Sequence, residues 1–186
     1  ALSQGETRLE MEQRSEDIDA TIGCLRALGA RIEKSGTEVQ VEGRGLDGLS
    51  APSAVLDAGN SGSTIRMLSG ILAGQEFLSR ITGDESLSRR PMDRIMRPLR
   101  EMGTQIDGLD GRYPPLAIQG GQLRSIDYTL PVASAQVKTC VLLAGLYAGG
   151  QTTVRESVAT RDHTELALRE FGAEVSERAG LFRAAG

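Results

Sequence analysis

The chain has no tryptophan, three tyrosines, three phenylalanines and one histidine among 186 residues. So little aromatic surface leaves the core to Leu, Ile, Val, Ala and Met. That suits helices laid on sheets better than a sandwich held by aromatic strand pairs. Cysteine is scarce too. Cys24 and Cys140 lack metal-ligand spacing and each stands in an apolar helical pattern, so both are expected as buried free thiols. No apolar run approaches the ~20 residues of a membrane span, and no basic-then-apolar signal peptide opens the sequence. A cytoplasmic protein is the default. The net charge of −4 argues against nucleic acid as a partner, since duplex binding needs a clustered basic surface. A length of 186 residues fits one domain.

What is present is a repeat. Leu25-Arg26-Ala27-Leu28-Gly29-Ala30 returns as Leu99-Arg100-Glu101-Met102-Gly103-Thr104 and again as Leu168-Arg169-Glu170-Phe171-Gly172-Ala173. Each copy continues into Ile32, Ile106 or Val175 at the same offset. The pattern predicts an amphipathic helix ended by a left-handed Gly, then a strand. Ahead of two copies, Ile71–Gln75 and Leu146–Gln151 close a helix (the later one spanning Val141–Ala148) and lead into extended segments, Glu76–Thr82 and Thr152–Arg155. The opening Ala1–Thr7 matches the tail of that helix. Ala30–Lys34 and Glu38–Glu42, turned by Ser35-Gly36-Thr37, form a strand pair. The fold expected is α/β with mixed sheets, in three βαβαββ units over 1–50, 51–124 and 125–186. The first unit lacks its start, and the last strand falls near Leu181–Ala184.

Four segments carry candidate chemistry. Asp57–Arg66 runs from a short strand through a Gly/Asn/Ser turn into a helix, where free N–H groups, Gly62 and Arg66 suit an anion. An ordinary capped turn fits the same residues. In Gly83–Met92, Pro91 suits the first helical position, which puts Arg89 and Arg90 at a positive helix entrance. A solvated Arg pair bridging to Asp84, Glu85 or Asp93 fits equally. In Leu130–Lys138, Ser134 caps a helix or offers its hydroxyl to a ligand, with Gln136 and Lys138 behind it. In Thr160–Glu165, Thr160 is an N-cap candidate and His163 reads as a structural or surface residue rather than a catalyst. All four lie at strand-to-helix junctions. In a repeat fold with parallel helices such ends gather on one face, a local positive surface on an acidic chain. Neither a P-loop nor a G-x-G-x-x-G fingerprint is present.

Asp57–Arg66, Arg90-Pro91-Met92, Pro131–Lys138 and Thr160–Glu165 together closely resemble the 5-enolpyruvylshikimate-3-phosphate (EPSP) synthase family, in the family's order and across nearly the whole chain. The resemblance implies two similar domains of three βαβαββ units each, in an inside-out α/β barrel. It also implies transfer of an enolpyruvyl group from phosphoenolpyruvate to the 5-hydroxyl of shikimate 3-phosphate, without metal or organic cofactor. Carried over, Gly62 and Arg90 contact phosphoenolpyruvate, with Asn60, Ser63 and Arg66 lining its pocket. Ser134, the backbone of Ala135, Gln136 and Thr160 hold shikimate 3-phosphate. Thr160 stands where Ser is usual and Ser63 where Thr is usual, each keeping a hydroxyl. Gly62, Ser63 and Met67 bear on glyphosate sensitivity.

The same resemblance places an opening Lys-Ser-x-Ser-x-Arg segment and a second domain outside these residues. The second domain supplies the acid/base carboxylates and the catalytic Lys. This chain is then a monomer's substrate-binding domain, with no catalytic residue of its own and weak or inactive alone. Two other readings stand beside it. In a UDP-N-acetylglucosamine enolpyruvyl transferase, the loop Cys falls at Glu85 here, which leaves that chemistry unsupported. A non-catalytic module on the same fold is the other. A serine hydrolase on His163 fails, because no Ser occupies a nucleophile elbow.

Overall fold

The computed structural model describes residues 1–12, 15–178 and 181–185. The first group of elements is β1 (Gln4–Glu10), α1 (Glu16–Ala27), β2 (Arg31–Ser35) and β3 (Glu38–Arg44). The second is β4 (Leu56–Asp57), α2 (Gly62–Ala73), β5 (Leu78–Thr82), α3 (Glu85–Ser88), α4 (Asp93–Glu101), β6 (Gln105–Leu109) and β7 (Tyr113–Gln119). After β8 (Leu123–Arg124), the third is β9 (Asp127–Thr129), α5 (Ala135–Gly145), β10 (Ala148–Gly149), β11 (Gln151–Arg155), α6 (His163–Glu170), β12 (Glu174–Arg178) and β13 (Leu181–Ala185).

The sheets repeat one another. Their strand orders are β1-β3-β2, β4-β5-β7-β6 and β9-β11-β13-β12. In the last two, the first strand runs parallel to its neighbour and the remaining pairs are antiparallel. The first sheet is antiparallel throughout and matches the last three strands of the others. The two-residue parallel pair β8–β10 joins the second and third groups. The opening residues therefore correct the expectation of a helix tail. Gly5 takes a φ of 91°, and Gln4–Glu10 spends its backbone groups on a ladder with β3.

The repeated Leu-Arg-x-x-Gly has a physical explanation. Gly29, Gly103 and Gly172 have φ of 85°, 107° and 84°. Beyond each, the next N–H returns to the Leu carbonyl (Ala30 to Leu25, Thr104 to Leu99, Ala173 to Leu168; 2.9–3.0 Å), closing a Schellman turn. The repeated arginine then spans the turn. Arg26, Arg100 and Arg169 each donate from Nε to the carbonyl of Ile32, Ile106 or Val175, all at 3.0 Å. Guanidinium and glycine together set the angle at which each helix hands over to its strand.

Position in the core follows from how much of each helix is apolar. α4 has one apolar stripe (Ile95, Met96, Leu99) and lies outside, whereas α5 is buried along Val137–Leu142 and again at Ala144 and Gly145. α2 is likewise buried at eight of its twelve positions. Helices apolar nearly all round belong at the centre, and these two pack on each other. An added Cβ at Gly70 would lie 2.2 Å from the Cys140 carbonyl oxygen, and one at Gly74 would lie 2.1 Å from the Tyr147 ring. With Arg66 bonded to Gln136 (2.9 Å), contacts advance together along both helices, which therefore run side by side in one direction. α5 ends at Gly145, short of the expected Ala148, because Ala148 and Gly149 pair with β8.

The core is one aliphatic cluster holding Leu28, Ile65, Leu72, Leu99, Val141 and Leu142. Both thiols are buried within it, and burial raises the Cys24 pKa to about 11 and pushes Cys140 up as well. No helix among the described residues is long and apolar enough to cross a membrane.

Gly70→Ala places a methyl against backbone that cannot yield, and a loss of about 1–3 kcal/mol is expected in urea unfolding. Gly23→Ala, in α1 with no atom within 4 Å of the new Cβ, is expected to gain about 0.5–1 kcal/mol. Equal stability for the two variants would contradict the packing described.

Candidate functional site

The site is built from the matched ends of α2 and α5. Ser61 caps α2, its Oγ accepting from the Thr64 N–H (3.1 Å), and Ser134 caps α5, accepting from Val137 (3.4 Å). The N–H groups of Gly62, Ser63, Ala135 and Gln136 are left without a protein partner among the described residues. These are the orphan donors of a helix start, and because the helices are parallel they gather at one end of the pair, Gly62 buried and the other three half-buried.

Arginines converge on the same end. A Cβ at Gly62 would lie 2.7 Å from Nη1 of Arg66 and 3.4 Å from Nη1 of Arg90. The Arg66 guanidinium thus lies in space that a Cβ would enter, and that of Arg90 lies at its edge. Arg66 bridges to Gln136 Oε1 of α5. Burial first, then the like charges of Arg90 and Arg94, push the Arg66 guanidinium below its ordinary range. Cations held together in a half-buried position are unfavourable until an anion joins them.

Arg90 is reached differently from the sequence expectation. α4 starts at Asp93 with Met92 at its cap position, so Arg89 and Arg90 do not stand at its entrance. Asp84 instead caps the separate short helix α3, which Arg90 closes by donating its N–H to the Leu87 carbonyl (2.9 Å). Met92 is tied by its own N–H to Arg112 (2.7 Å). The two arginines part there: Arg89 pairs with Glu85 in solvent, while Arg90 turns to Asn60 Oδ1 (2.6 Å).

Thr160 also departs from expectation. Asp162 occupies the cap position of α6, and Thr160 donates its N–H (3.1 Å) and its hydroxyl (2.8 Å) to the Glu156 carboxylate. Glu156 is held by Lys138 Nζ (3.2 Å), which also lies 2.6 Å from Glu165 Oε1, all three side chains being at most 1% exposed. This buried ion cluster fastens the Thr160 segment to the first turn of α5. The lone histidine, His163, is exposed.

Gly62, Arg66, Arg90 and Gln136 therefore form one contiguous group with Asn60, Ser63, Ser134 and Ala135 beside it. Thr160 joins it through Glu156 and Lys138. Three participants were not singled out from sequence: Arg94, Glu156 and Asp17, whose Oδ2 accepts from Ser63 Oγ at 3.3 Å. Only the packing of α1, α4 and the Glu156 loop onto the helix ends brings them in. A cavity of about 540 Å3, bounded by Leu46, Gln75 and Tyr147, lies at the opposite ends of α2 and α5 and shares no residue with the site.

Gly62→Ala inserts a methyl between the two guanidiniums. Because side-chain ends can move away, thermal stability should change little. Affinity for inorganic phosphate, measured by calorimetry, should fall about tenfold, equivalent to ~1.4 kcal/mol. Unchanged affinity would show that the guanidiniums do not share a ligand above Gly62.

The EPSP synthase (3-phosphoshikimate 1-carboxyvinyltransferase) family model matches residues 1–184. A 3-phosphoshikimate 1-carboxyvinyltransferase of Solibacter usitatus is 60% identical over 186 residues, covering 100% of this chain and 44% of the relative. One from Alkaliphilus metalliredigens is 54% identical, covering 98% of this chain and 43% of its own length. EPSP synthase from Acinetobacter baumannii superimposes with a TM-score of 0.96 at 48% identity, over 100% of this chain and 42% of that one. The chain thus spans 44% or less of the length of these relatives. With residues 1–184 matched by the family model and 60% identity to a relative over all 186 residues, this chain belongs to the EPSP synthase family.

Proposed function

We propose that this chain is the substrate-binding domain of a 3-phosphoshikimate 1-carboxyvinyltransferase, holding phosphoenolpyruvate and shikimate 3-phosphate side by side. The observation that carries the reading is the meeting of four unpartnered N–H groups with the Arg66 and Arg90 guanidiniums at one end of two parallel helices. Phosphoenolpyruvate takes the α2 end, at Gly62 and Ser63, with Asn60, Arg66 and Arg90 around it. Shikimate 3-phosphate takes the α5 end, at Ser134, Ala135 and Gln136, with Thr160. The Arg66–Gln136 bond lies between the two subsites.

Enolpyruvyl transfer needs a proton delivered to the methylene carbon of phosphoenolpyruvate. The oxocarbenium-like C2 is then attacked by the 5-hydroxyl of shikimate 3-phosphate, which gives up its proton, and loss of a methyl proton and of phosphate restores the double bond. The carboxylates near the site already have partners: Asp17 accepts from Ser63, Asp84 serves Asn60 and the α3 cap, and Glu156 and Glu165 pair with Lys138. In this reading the proton-transfer groups come from a second domain of a monomeric, cytoplasmic enzyme. The greater length of the relatives supports that assignment. The domain comprises all 186 residues, in units near 1–50, 51–124 and 125–186.

Calorimetric titration of the chain should show saturable binding of both substrates. Arg90→Ala should weaken phosphoenolpyruvate about 10- to 100-fold, the value of a charge-assisted hydrogen bond of ~1.5–3 kcal/mol. The chain alone should release no phosphate from the pair. Robust turnover would overturn the assignment of proton transfer to another domain. Heat from a UDP-sugar would favour the related nucleotide-sugar enzyme, and silence toward every ligand a non-catalytic module.

A further inference from the structure

Asp84 is not among the residues assigned to either substrate, yet it begins a chain of short hydrogen bonds that runs through Asn60 to Arg90. Its Oδ1 accepts from the Leu87 N–H (2.7 Å), which caps α3, and its Oδ2 accepts from Asn60 Nδ2 (2.7 Å). Asn60 Oδ1 in turn accepts from Arg90 Nη2 (2.6 Å), whose other side-chain contact is a long one to Ser86 Oγ (3.4 Å). The backbone is tied at the same place, the Asp84 N–H donating to the Gly59 carbonyl at 2.8 Å.

The chemistry of the three groups allows one arrangement. A carboxylate only accepts and a guanidinium only donates, so the Asn60 amide must turn its nitrogen to Asp84 and its oxygen to Arg90. An amide without the carboxylate is free to flip, and in the flipped state its NH2 faces the guanidinium, donor against donor. We propose that Asp84 is a positioning residue for anion binding, fixing the Asn60 carboxamide so that it holds the Arg90 guanidinium over Gly62. The value of that order to catalysis rests on Arg90 being a ligand of phosphoenolpyruvate; the order itself does not. Asp84 ionises below its ordinary range, chiefly through the Asn60 hydrogen bond and then the Leu87 N–H, consistent with a carboxylate in steady use by both.

Two substitutions separate positioning from capping. Serine is a good N-cap but is too short to reach Asn60, so Asp84→Ser keeps α3 and loses the relay. Asparagine has one oxygen for two donors, so Asp84→Asn must break either the cap or the relay. Side-chain 15N spectra of the chain read the relay without any ligand. In the wild type, the Asn60 Nδ2 protons should be protected from exchange and the Arg90 Nη signals resolved by slow rotation. In Asp84→Ser both features should be lost while the Leu87 amide stays protected. Phosphoenolpyruvate affinity should fall about three- to tenfold, and the same substitution placed on Asn60→Ala should cost nothing more, since one relay is broken once.

Unchanged Asn60 and Arg90 side-chain signals in a folded Asp84→Ser protein, or costs that simply add, would overturn the proposal. If Asp84→Ser fails to fold, Asp84→Thr, which also caps a helix and is likewise too short to reach Asn60, carries the same test in the same spectra. A wild type that binds no phosphoenolpyruvate would sink the functional reading, while the spectra would still decide whether Asp84 orders Asn60 and Arg90.

Discussion

Everything at the candidate site depends on the backbone contact between α2 and α5 at Gly70 and Cys140. Two helices this close and pointing the same way bring their positive ends and unpaired N–H groups together. That is electrostatically unfavourable by itself, and aliphatic burial around Ile65, Leu68, Val141 and Leu142 offsets it. The core thus supplies the stability that lets a cluster of donors stay unsatisfied at the surface. An anion at that end completes hydrogen bonds that the fold leaves open.

The chain is acidic overall, but its charges are sorted. Many acidic side chains on the outside are paired with neighbouring arginines, as Glu6 with Arg8, Glu42 with Arg31 and Asp127 with Arg155. Such exposed pairs add little stability. The ion cluster of Lys138, Glu156 and Glu165 differs, being buried on all sides. Removing Lys138 would strand two carboxylates in the core, a loss of about 3–5 kcal/mol, so its first duty is to hold the Thr160 segment against α5.

Much of this architecture is legible in the sequence, because the repeat is written in local chemistry. Gly29, Gly103 and Gly172 end helices in a backbone conformation that glycine favours, and the apolar faces of α2 and α5 mark them as central. The anion-suited turn at Gly59–Gly62 is equally readable, since glycine, serine and a helix start occur together. Local rules mislead where they compete with a tertiary bond. Pro91 has the character of a helix start, but Asp84 already caps a separate turn and Met92 is claimed by Arg112. Thr160 has the character of a cap, but its hydroxyl and N–H serve Glu156. The repeated Arg26, Arg100 and Arg169 are visible as a pattern, whereas their common carbonyl targets become clear only in three dimensions.

Whether two helix ends make one anion site can be read from backbone amide signals while shikimate 3-phosphate and phosphoenolpyruvate are added together. Adjoining subsites predict that Gly62, Ser63, Ala135 and Gln136 all shift and saturate, while Gln75 and Tyr147 at the far ends stay still. Shifts confined to one helix end, or appearing first around Gln75 and Tyr147, would contradict it.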